Sequence, residues 1–245
     1  MLKYEHRDNF YAQEIKASVE NKKEILAFLR NELPKENKES ITTLAKRLRY
    51  FKPALTFAAI YVTSSKTSIE EFIAKYSIHE RVYKECTDEI AYPLIYSMCS
   101  KVLIDFIEEK NRDAYEILYV GAYLGQNNIP DKLLISWFGS KFCIEESIAE
   151  RRYYLALESL EDCKLVQKCN NNFSIIFFIL QDQMKAICEI IEKRQEEFLK
   201  ELSNVFCNTI NVELNKDKKD LSYLEMLLPH INIISKYLNA LIKKV

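Results

Sequence analysis

The scarcity of glycine and proline is the feature that most restricts what this chain can fold into. Its 245 residues include only three glycines and five prolines. These are the residues that most often interrupt helices and form tight turns. With so few of them, and with 48% hydrophobic residues, the sequence predicts long helices joined by short polar loops. The chain is long enough for one large or two small domains, each with its own core.

Apolar residues recur at helical spacing through the first half of the chain. Residues 1–20 lack this period and are interpreted as the remnant of a preceding domain or as a tail. Helices are predicted from Asn21 to Pro34, over residues 41–48, from Pro53 through the run ALTFAAIYV, and after a capping box formed by Ser68 and Glu71. We expect the third helix to be buried on most sides and the fourth to be short. Two more helices are predicted over residues 92–109 and 113–124.

The segment from residue 125 to 175 has a different pattern. Pro130 suits the first position of a short helix, and Gly139 suits its C-terminal cap. A longer helix over residues 144–161 carries two apolar stripes and is therefore predicted to be sandwiched: Ile144, Ile148 and Leu155 form one stripe, and Tyr153, Leu157 and Leu160 the other. The stretches KLVQK and FSII then flank the turn CNNN, which indicates a β-hairpin. Helix, helix, hairpin and helix is the order of a winged-helix unit.

Two further helical regions are predicted near residues 182–207 and 221–243, with the polar stretch NVELNKDKKD between them. The second of these regions repeats apolar residues at Leu221, Leu224, Leu228, Ile231 and Leu238. The predicted fold is mainly α: a helical bundle, then a winged-helix unit with a small β-hairpin, then C-terminal helices. We divide it into residues 1–20 (remnant or tail), 21–90 (helical subdomain), 91–188 (winged helix) and 189–245 (C-terminal helical linker).

The sequence lacks the usual signatures of catalysis, so we expect no enzymatic activity and no cofactor. A phosphate-binding loop needs several glycines before a Lys-Ser or Lys-Thr pair, and Gly121, Gly125 and Gly139 do not provide them. The nearest candidate metal set, His79, Cys86 and Cys99, fits no standard zinc spacing. The seven cysteines are an odd number, and most lie in apolar helical patterns, so we interpret them as reduced, buried thiols.

Charge argues against nucleic acid as a partner. The formal net charge is −1, and the helix that would read DNA in a winged-helix unit has six acidic residues against two arginines: Glu145, Glu146, Glu150, Glu158, Glu161 and Asp162 against Arg151 and Arg152. Such a helix would repel phosphates. No apolar stretch is long enough to cross a bilayer, and no signal peptide is evident at the N-terminus. We therefore expect a cytoplasmic protein with protein partners.

Several stretches, taken in order, resemble the bacterial NB-ARC regulatory ATPases of the STAND class, particularly those with tetratricopeptide repeats. The resemblance covers roughly residues 15–240 and rests on EIKASVENKKEILAFLRNEL, LAKRLRYFKPALTFAAIYV, AYEILYVGAYLGQNNIPDKLLISWF, YLALESLEDCKLVQ, FSIIFFILQDQMKA and LEMLLPHINII. It implies that Pro53 is a degenerate counterpart of the proline in the adenine-contacting motif. It also places Phe177 where the family has its ADP-sensing histidine. A phenyl ring cannot bond a phosphate, so we expect ADP sensing to be lost.

The resemblance implies a non-catalytic arm of a nucleotide switch that lacks the ATP-binding core and the repeats. Such an arm would act as lever or clasp, and its partner would be a protein, for example an ATPase core or repeat domain encoded separately. An exposed apolar patch along residues 21–62 would favour this fragment, since the missing core should dock there. The alternative is a stand-alone helical adaptor that packs on itself through the helix over residues 144–161. A winged-helix DNA-binding regulator is the third hypothesis.

Overall fold

The computed structural model of this protein describes residues 21–84, 92–125, 127–169, 172–175, 192–216 and 221–242. Within these ranges it contains ten helices and one three-stranded antiparallel sheet, which confirms the predicted mainly α fold. The chain divides into two compact units. The first unit ends at Glu109 and the second begins at Lys110, whereas the sequence suggested a boundary near residue 91.

The first unit consists of α1 (Lys22–Glu32), α2 (Lys38–Arg47), α3 (Lys52–Ser65), α4 (Ile69–Lys84) and all but the last residue of α5 (Tyr92–Lys110). Two of these helices begin with a side-chain N-cap. The Asn37 side chain accepts a hydrogen bond from the Ser40 amide, at 2.8 Å, and the Ser68 hydroxyl accepts one from the Glu71 amide, at 3.3 Å. The helix after Ser68 has 16 residues, so it is not short as predicted.

The centre of the first unit is α3, which is buried on most sides as predicted. Its small residues let other helices approach closely, and its aromatic residues fill the remaining space. Phe57 packs on Tyr96 with ring centroids 4.8 Å apart, and Tyr61 packs on Phe106 at 5.4 Å. Pro53 lies in the first turn of α3. Amides in the first turn have no partner within the helix, so a proline there costs no hydrogen bond.

The second unit begins with α6 (Arg112–Ala122), β1 (Ile129–Pro130), α7 (Asp131–Phe142) and α8 (Glu146–Asp162). The hairpin of β2 (Val166–Cys169) and β3 (Asn172–Ile175) follows, then α9 (Glu192–Leu214) and α10 (Leu221–Ile242). The sheet order is β1-β3-β2. Phe173 on β3 lies opposite Ile129 on β1 and Lys168 on β2, so the predicted hairpin is confirmed and β1 adds a third strand to it.

Two predicted helix ends in the second unit are wrong. Gly139 lies inside α7, which ends at Phe142 with the left-handed Cys143 as its cap. Lys141 in this extra turn forms an ion pair with Glu116, at 2.5 Å. Similarly, α9 continues into the predicted polar connector as far as Leu214, and the buried Glu213 in its last turn pairs with Lys216 just beyond the helix.

The apolar stripes of two helices also differ from the prediction. One face of α8 is buried, but the other is not sandwiched, since Ile148 is 48% and Leu155 is 55% exposed. On α10 the predicted residues Leu221 and Leu228 are exposed, and the buried face is instead formed by Tyr223, Leu227, His230 and Ile234. This face contains two polar aromatic residues, so apolar periodicity alone could not identify it.

Candidate interaction surfaces

The resemblance relates two residues to nucleotide binding, Pro53 as a degenerate adenine contact and Phe177 as the residue in place of the ADP-sensing histidine. Pro53 is partly buried at the start of α3, within the first unit. Phe177 lies outside the described residues. The structure therefore shows Pro53 as a helix-starting residue and does not test the role that the resemblance gives to Phe177.

Of the three residues considered as metal ligands, His79 is already paired with a carboxylate. His79 Nε2 lies 3.2 Å from Asp105 Oδ2, and Asp105 is also paired with Lys101. Burial alone would raise the pKa of Asp105, but the bonds to His79 and Lys101 outweigh it and lower the pKa. Cys86 lies outside the described residues. In the part of the chain that is described, no cluster of histidine, cysteine and carboxylate side chains is suited to hold a metal ion.

The cysteines follow the prediction only in part. Five lie in the described ranges, and all five are free thiols. Cys99 and Cys163 are buried, and burial raises the pKa of the Cys99 thiol well above its ordinary value, which makes it a poor nucleophile. The other three are exposed rather than buried, namely Cys143, Cys169 and Cys207.

The outward face of α8 combines apolar and acidic side chains. Ile148 and Leu155 are seven residues apart and therefore share one side of the helix. Glu158 and Arg151 flank them and are exposed. Arg152 is held by Asp113, whose two oxygens accept from Nε at 2.8 Å and from an amino group at 2.5 Å. This bidentate pair fixes α8 against the start of α6.

A buried histidine connects α10 to the loop before β1. The Gly125 amide donates to His230 Nδ1, at 2.9 Å, and His230 Nε2 lies 3.1 Å from the Asn128 carbonyl oxygen. Because Nδ1 must accept and a carbonyl can only accept, the neutral Nε2–H tautomer satisfies both contacts. Burial lowers the pKa of His230, which favours that neutral form. We call these three residues the His230 clasp.

Gly125 lies close to the His230 ring in the clasp. A Cβ atom at this position would lie 3.2 Å from His230 Nδ1 and 3.3 Å from its Cε1. That is tighter than ordinary van der Waals contact. The imidazole therefore packs against the backbone itself, and α10 is held closely to the loop before β1.

A groove of about 640 Å³ opens in the same unit, lined by one face of α7, the start of α8, the end of α9 and Tyr223 of α10. Its lining includes the carboxylates Asp131, Glu146, Glu150 and Glu213. Two lysines, Lys132 and Lys216, also line it. We call this feature the acidic groove, and its size is within the range of small-molecule sites.

Asp131 is the most unusual residue of the acidic groove. It is the first residue of α7 and only 2% exposed. Its Oδ1 accepts a hydrogen bond from the Tyr153 hydroxyl, at 2.5 Å, whereas Oδ2 accepts none from the described residues. Burial raises the pKa of Asp131, and the Tyr153 hydrogen bond and the charge of Lys168 offset only part of that rise.

Sequence reasoning missed both Asp131 and the role of His230. An aspartate in the first turn of a helix is ordinarily a solvated residue that favours the helix dipole, so its burial could not be foreseen. His230 gave one usable signal, because it is in helical phase with Tyr223, Leu227 and Ile234. Histidine on a buried face requires hydrogen-bond partners, but the sequence does not identify them.

No protein-family model, curated protein or solved structure matches this chain. Its resemblance to the NB-ARC proteins therefore stays a hypothesis carried by the motifs in the sequence. Among the described residues, no helix combines the length and apolar character needed to cross a membrane.

Proposed function

We propose that this chain is a non-catalytic protein-interaction component, built like the arm of an NB-ARC switch and acting as lever or clasp for a protein partner. The observation that carries the proposal is the outward face of α8. Exposed isoleucine and leucine side chains among carboxylates suit contact with another protein surface. They do not suit contact with a phosphate backbone, which requires a basic face.

The order of elements supports the winged-helix part of this proposal. In the second unit α6, β1, α7, α8, β2 and β3 follow one another, and the strands associate in the order β1-β3-β2. Winged-helix units use this order, with α8 in the place of the recognition helix. The His230 clasp adds rigidity at the start of the sheet, which a lever needs in order to transmit motion.

The exposed apolar residues locate the proposed contact in the second unit. Residues 21–62 have no exposed large hydrophobic side chain among the described residues, so this region does not favour a fragment that docks there on a missing core. Six exposed large hydrophobic residues instead belong to the second unit: Ile148, Leu155, Val212, Leu214, Leu221 and Leu228. We therefore place the partner on the second unit.

Self-association is the second candidate function, and the same face of α8 favours it. In a stand-alone adaptor, Ile148 and Leu155 would pack against the same residues of another copy across a two-fold axis. The flanking charges are mixed, since Arg151 is basic and Glu158 is acidic, so self-association should depend only weakly on salt.

Site-specific photo-crosslinking in the native cells distinguishes these functions. A photoreactive residue replaces Leu155, and the same residue at the exposed position Glu197 of α9 serves as the control. A crosslink from position 155 to a protein with a phosphate-binding loop would support the NB-ARC arm, and a crosslink to a second copy would support the adaptor. Crosslinks to DNA, or equal yields at both positions, would overturn both.

Nucleotide binding gives an independent test of the proposal that this chain is non-catalytic. ADP or ATP at millimolar concentration should leave the melting temperature of the purified chain unchanged, because a ligand stabilises a protein only if it binds the folded state. A clear concentration-dependent rise with either nucleotide would contradict the proposal.

A further inference from the structure

The exposed residues of α8 follow the spacing of a seam between paired helices. Ile148, Arg151, Leu155 and Glu158 are all exposed and follow one another at steps of three, four and three positions. Residues at these steps line one side of an α-helix, and the same alternation of three and four forms the line of contact between two paired helices. The outward face of α8 is therefore suited to pairing with another helix.

The two charges of this face have no opposite charge beside them on their own helix. No acidic residue lies three or four positions from Arg151 along α8, and no basic residue lies at this spacing from Glu158. Glu161 and Asp162 lie there instead, and like charges at this spacing are unfavourable. Neither Arg151 nor Glu158 forms an ion pair with another described residue, so both are available to an opposite charge on another surface.

The rest of the second unit holds this face in a fixed orientation. The opposite side of α8 is buried through Tyr153, Leu157 and Leu160, and Arg152 is bound by both carboxylate oxygens of Asp113. A surface that is fixed before contact loses little conformational freedom when it binds. The small seam on α8 therefore needs few contacts to support association.

The charges of this face are self-complementary when two copies of α8 run antiparallel. A parallel pair would oppose Arg151 to Arg151 and Glu158 to Glu158, and like charges repel. In an antiparallel pair, a two-fold axis level with residue 153 places each Arg151 about 4.5 Å along the helix axis from Glu158 of the other copy. At the same setting, each Ile148 has the same offset from Leu155 of the other copy. The face therefore carries the pattern that its own partner would need.

We infer that the outward face of α8 pairs with the same face of a second copy of this chain, with the two helices antiparallel. Arg151 of each copy forms an ion pair with Glu158 of the other, and Ile148 and Leu155 pack beside these two equivalent pairs. The inference rests on the protein-interaction role proposed above and identifies the second copy as the molecule that meets this face. One helix pair is a small interface, so we expect a weak dimer with a dissociation constant on the order of 100 μM.

Charge reversal tests this pairing, with self-association of the full chain followed by sedimentation velocity from about 10 μM to about 1 mM. Arg151→Glu makes both charges of the face acidic, and Glu158→Arg makes both of them basic. Each single variant opposes like charges in both ion pairs of the dimer, so its self-association should weaken at least about tenfold. Both residues are exposed, so the fold should be retained.

A mixture of the two single variants provides the most specific test. In a mixed dimer, the two basic residues of one copy face the two acidic residues of the other, so an equimolar mixture should associate at least as tightly as the wild type. The chain that carries both changes should also recover its self-association. Glu197→Arg, at an exposed position of α9, changes the net charge as Glu158→Arg does and is the matched control, with wild-type association expected.

The outcomes separate this inference from the proposed function on which it rests. A wild-type chain that stays monomeric up to about 1 mM, single variants that associate like the wild type, or a mixture that shows no recovery would each overturn the inference. In any of these cases, the protein-interaction role still holds if a photoreactive residue at position 155 crosslinks to a different protein in the native cells. If that residue crosslinks to no protein at all, both the inference and the proposed function fail.

Discussion

The two compact units both contain polar contacts between helices, for example Arg47 with Glu80 in the first unit, but they differ in the apolar residues that they expose. In the first unit, apolar and aromatic residues pack around α3, and Ile78 is the single exposed large hydrophobic residue among its described residues. In the second unit, buried polar groups fix neighbouring elements: His230 binds the loop before β1, Asp131 binds Tyr153, and Glu116 binds Lys141. The second unit also exposes six large hydrophobic residues.

This difference indicates which unit meets other molecules. A surface with few exposed apolar residues is typical of a part that is complete by itself, whereas exposed apolar residues beside a polar groove are typical of binding surfaces. Buried hydrogen bonds also specify one geometry more strictly than apolar contacts do. The first unit is therefore best understood as a scaffold, and the second unit as the part whose precise shape matters for binding.

The largest expected effect is a cavity in the first unit. Phe57→Ala removes a ring that is fully buried in α3 and packed on Tyr96, so it should lower the free energy of unfolding by about 3–5 kcal/mol. Hydrogen exchange of the α3 amides measures this loss directly. Ile78→Ala, at an exposed position of α4, is the control and should change the stability by less than about 0.5 kcal/mol. Similar protection of α3 in both variants would refute apolar packing as the basis of this unit.

The next effect concerns the clasp of the second unit. His230→Ala leaves the Gly125 amide and the Asn128 carbonyl without their partner, which should cost about 2–3 kcal/mol. The chain's single tryptophan, Trp137, is buried in the same unit, so its fluorescence in a urea titration reports this loss. His230→Asn can still accept from Gly125 and should lose less. If the alanine and asparagine variants unfold at the same urea concentration, the Gly125 hydrogen bond contributes little.

The clasp also makes the second unit sensitive to pH. Because the pKa of His230 is lowered in the folded state, the unfolded chain takes up the proton first, near pH 6.5. The contribution of His230 is therefore complete above that pH and is lost as the pH falls towards the lowered folded-state pKa. We expect the stability difference between wild type and His230→Asn to shrink as the pH falls from about 7.5 to about 5. Parallel pH profiles would contradict a neutral, buried imidazole.

The sequence predicted the scaffold better than the binding surfaces, and the reason is physical. Helical periodicity depends on apolar residues and located α3 correctly, and the strand-like stretches around the turn CNNN located the hairpin. It failed where polar residues are buried, as at His230 and Asp131, and where apolar residues are exposed, as at Leu221 and Leu228. In both cases the outcome depends on partners distant in the sequence, for example Gly125 and His230, which are separated by 105 positions.

The smallest expected effect is that of Leu155→Ala, which we compare with Leu157→Ala on the other face of α8. Leu155 and Leu157 are two residues apart on the same helix, but Leu155 is 55% exposed and Leu157 is 1% exposed. Leu157→Ala should therefore cost about 2–5 kcal/mol, and Leu155→Ala less than about 0.5 kcal/mol, both measured by Trp137 fluorescence during urea unfolding.

The Leu155→Ala variant also tests the proposed contact surface on α8. If the outward face of α8 contacts a partner or a second copy, Leu155→Ala should reduce crosslinking from a photoreactive residue at position 148 while leaving the stability of the isolated chain intact. A stability loss as large as that of Leu157→Ala would mean that this face is covered by the chain itself. The helix would then be sandwiched, as its two apolar stripes first suggested, and the proposed contact surface would not exist.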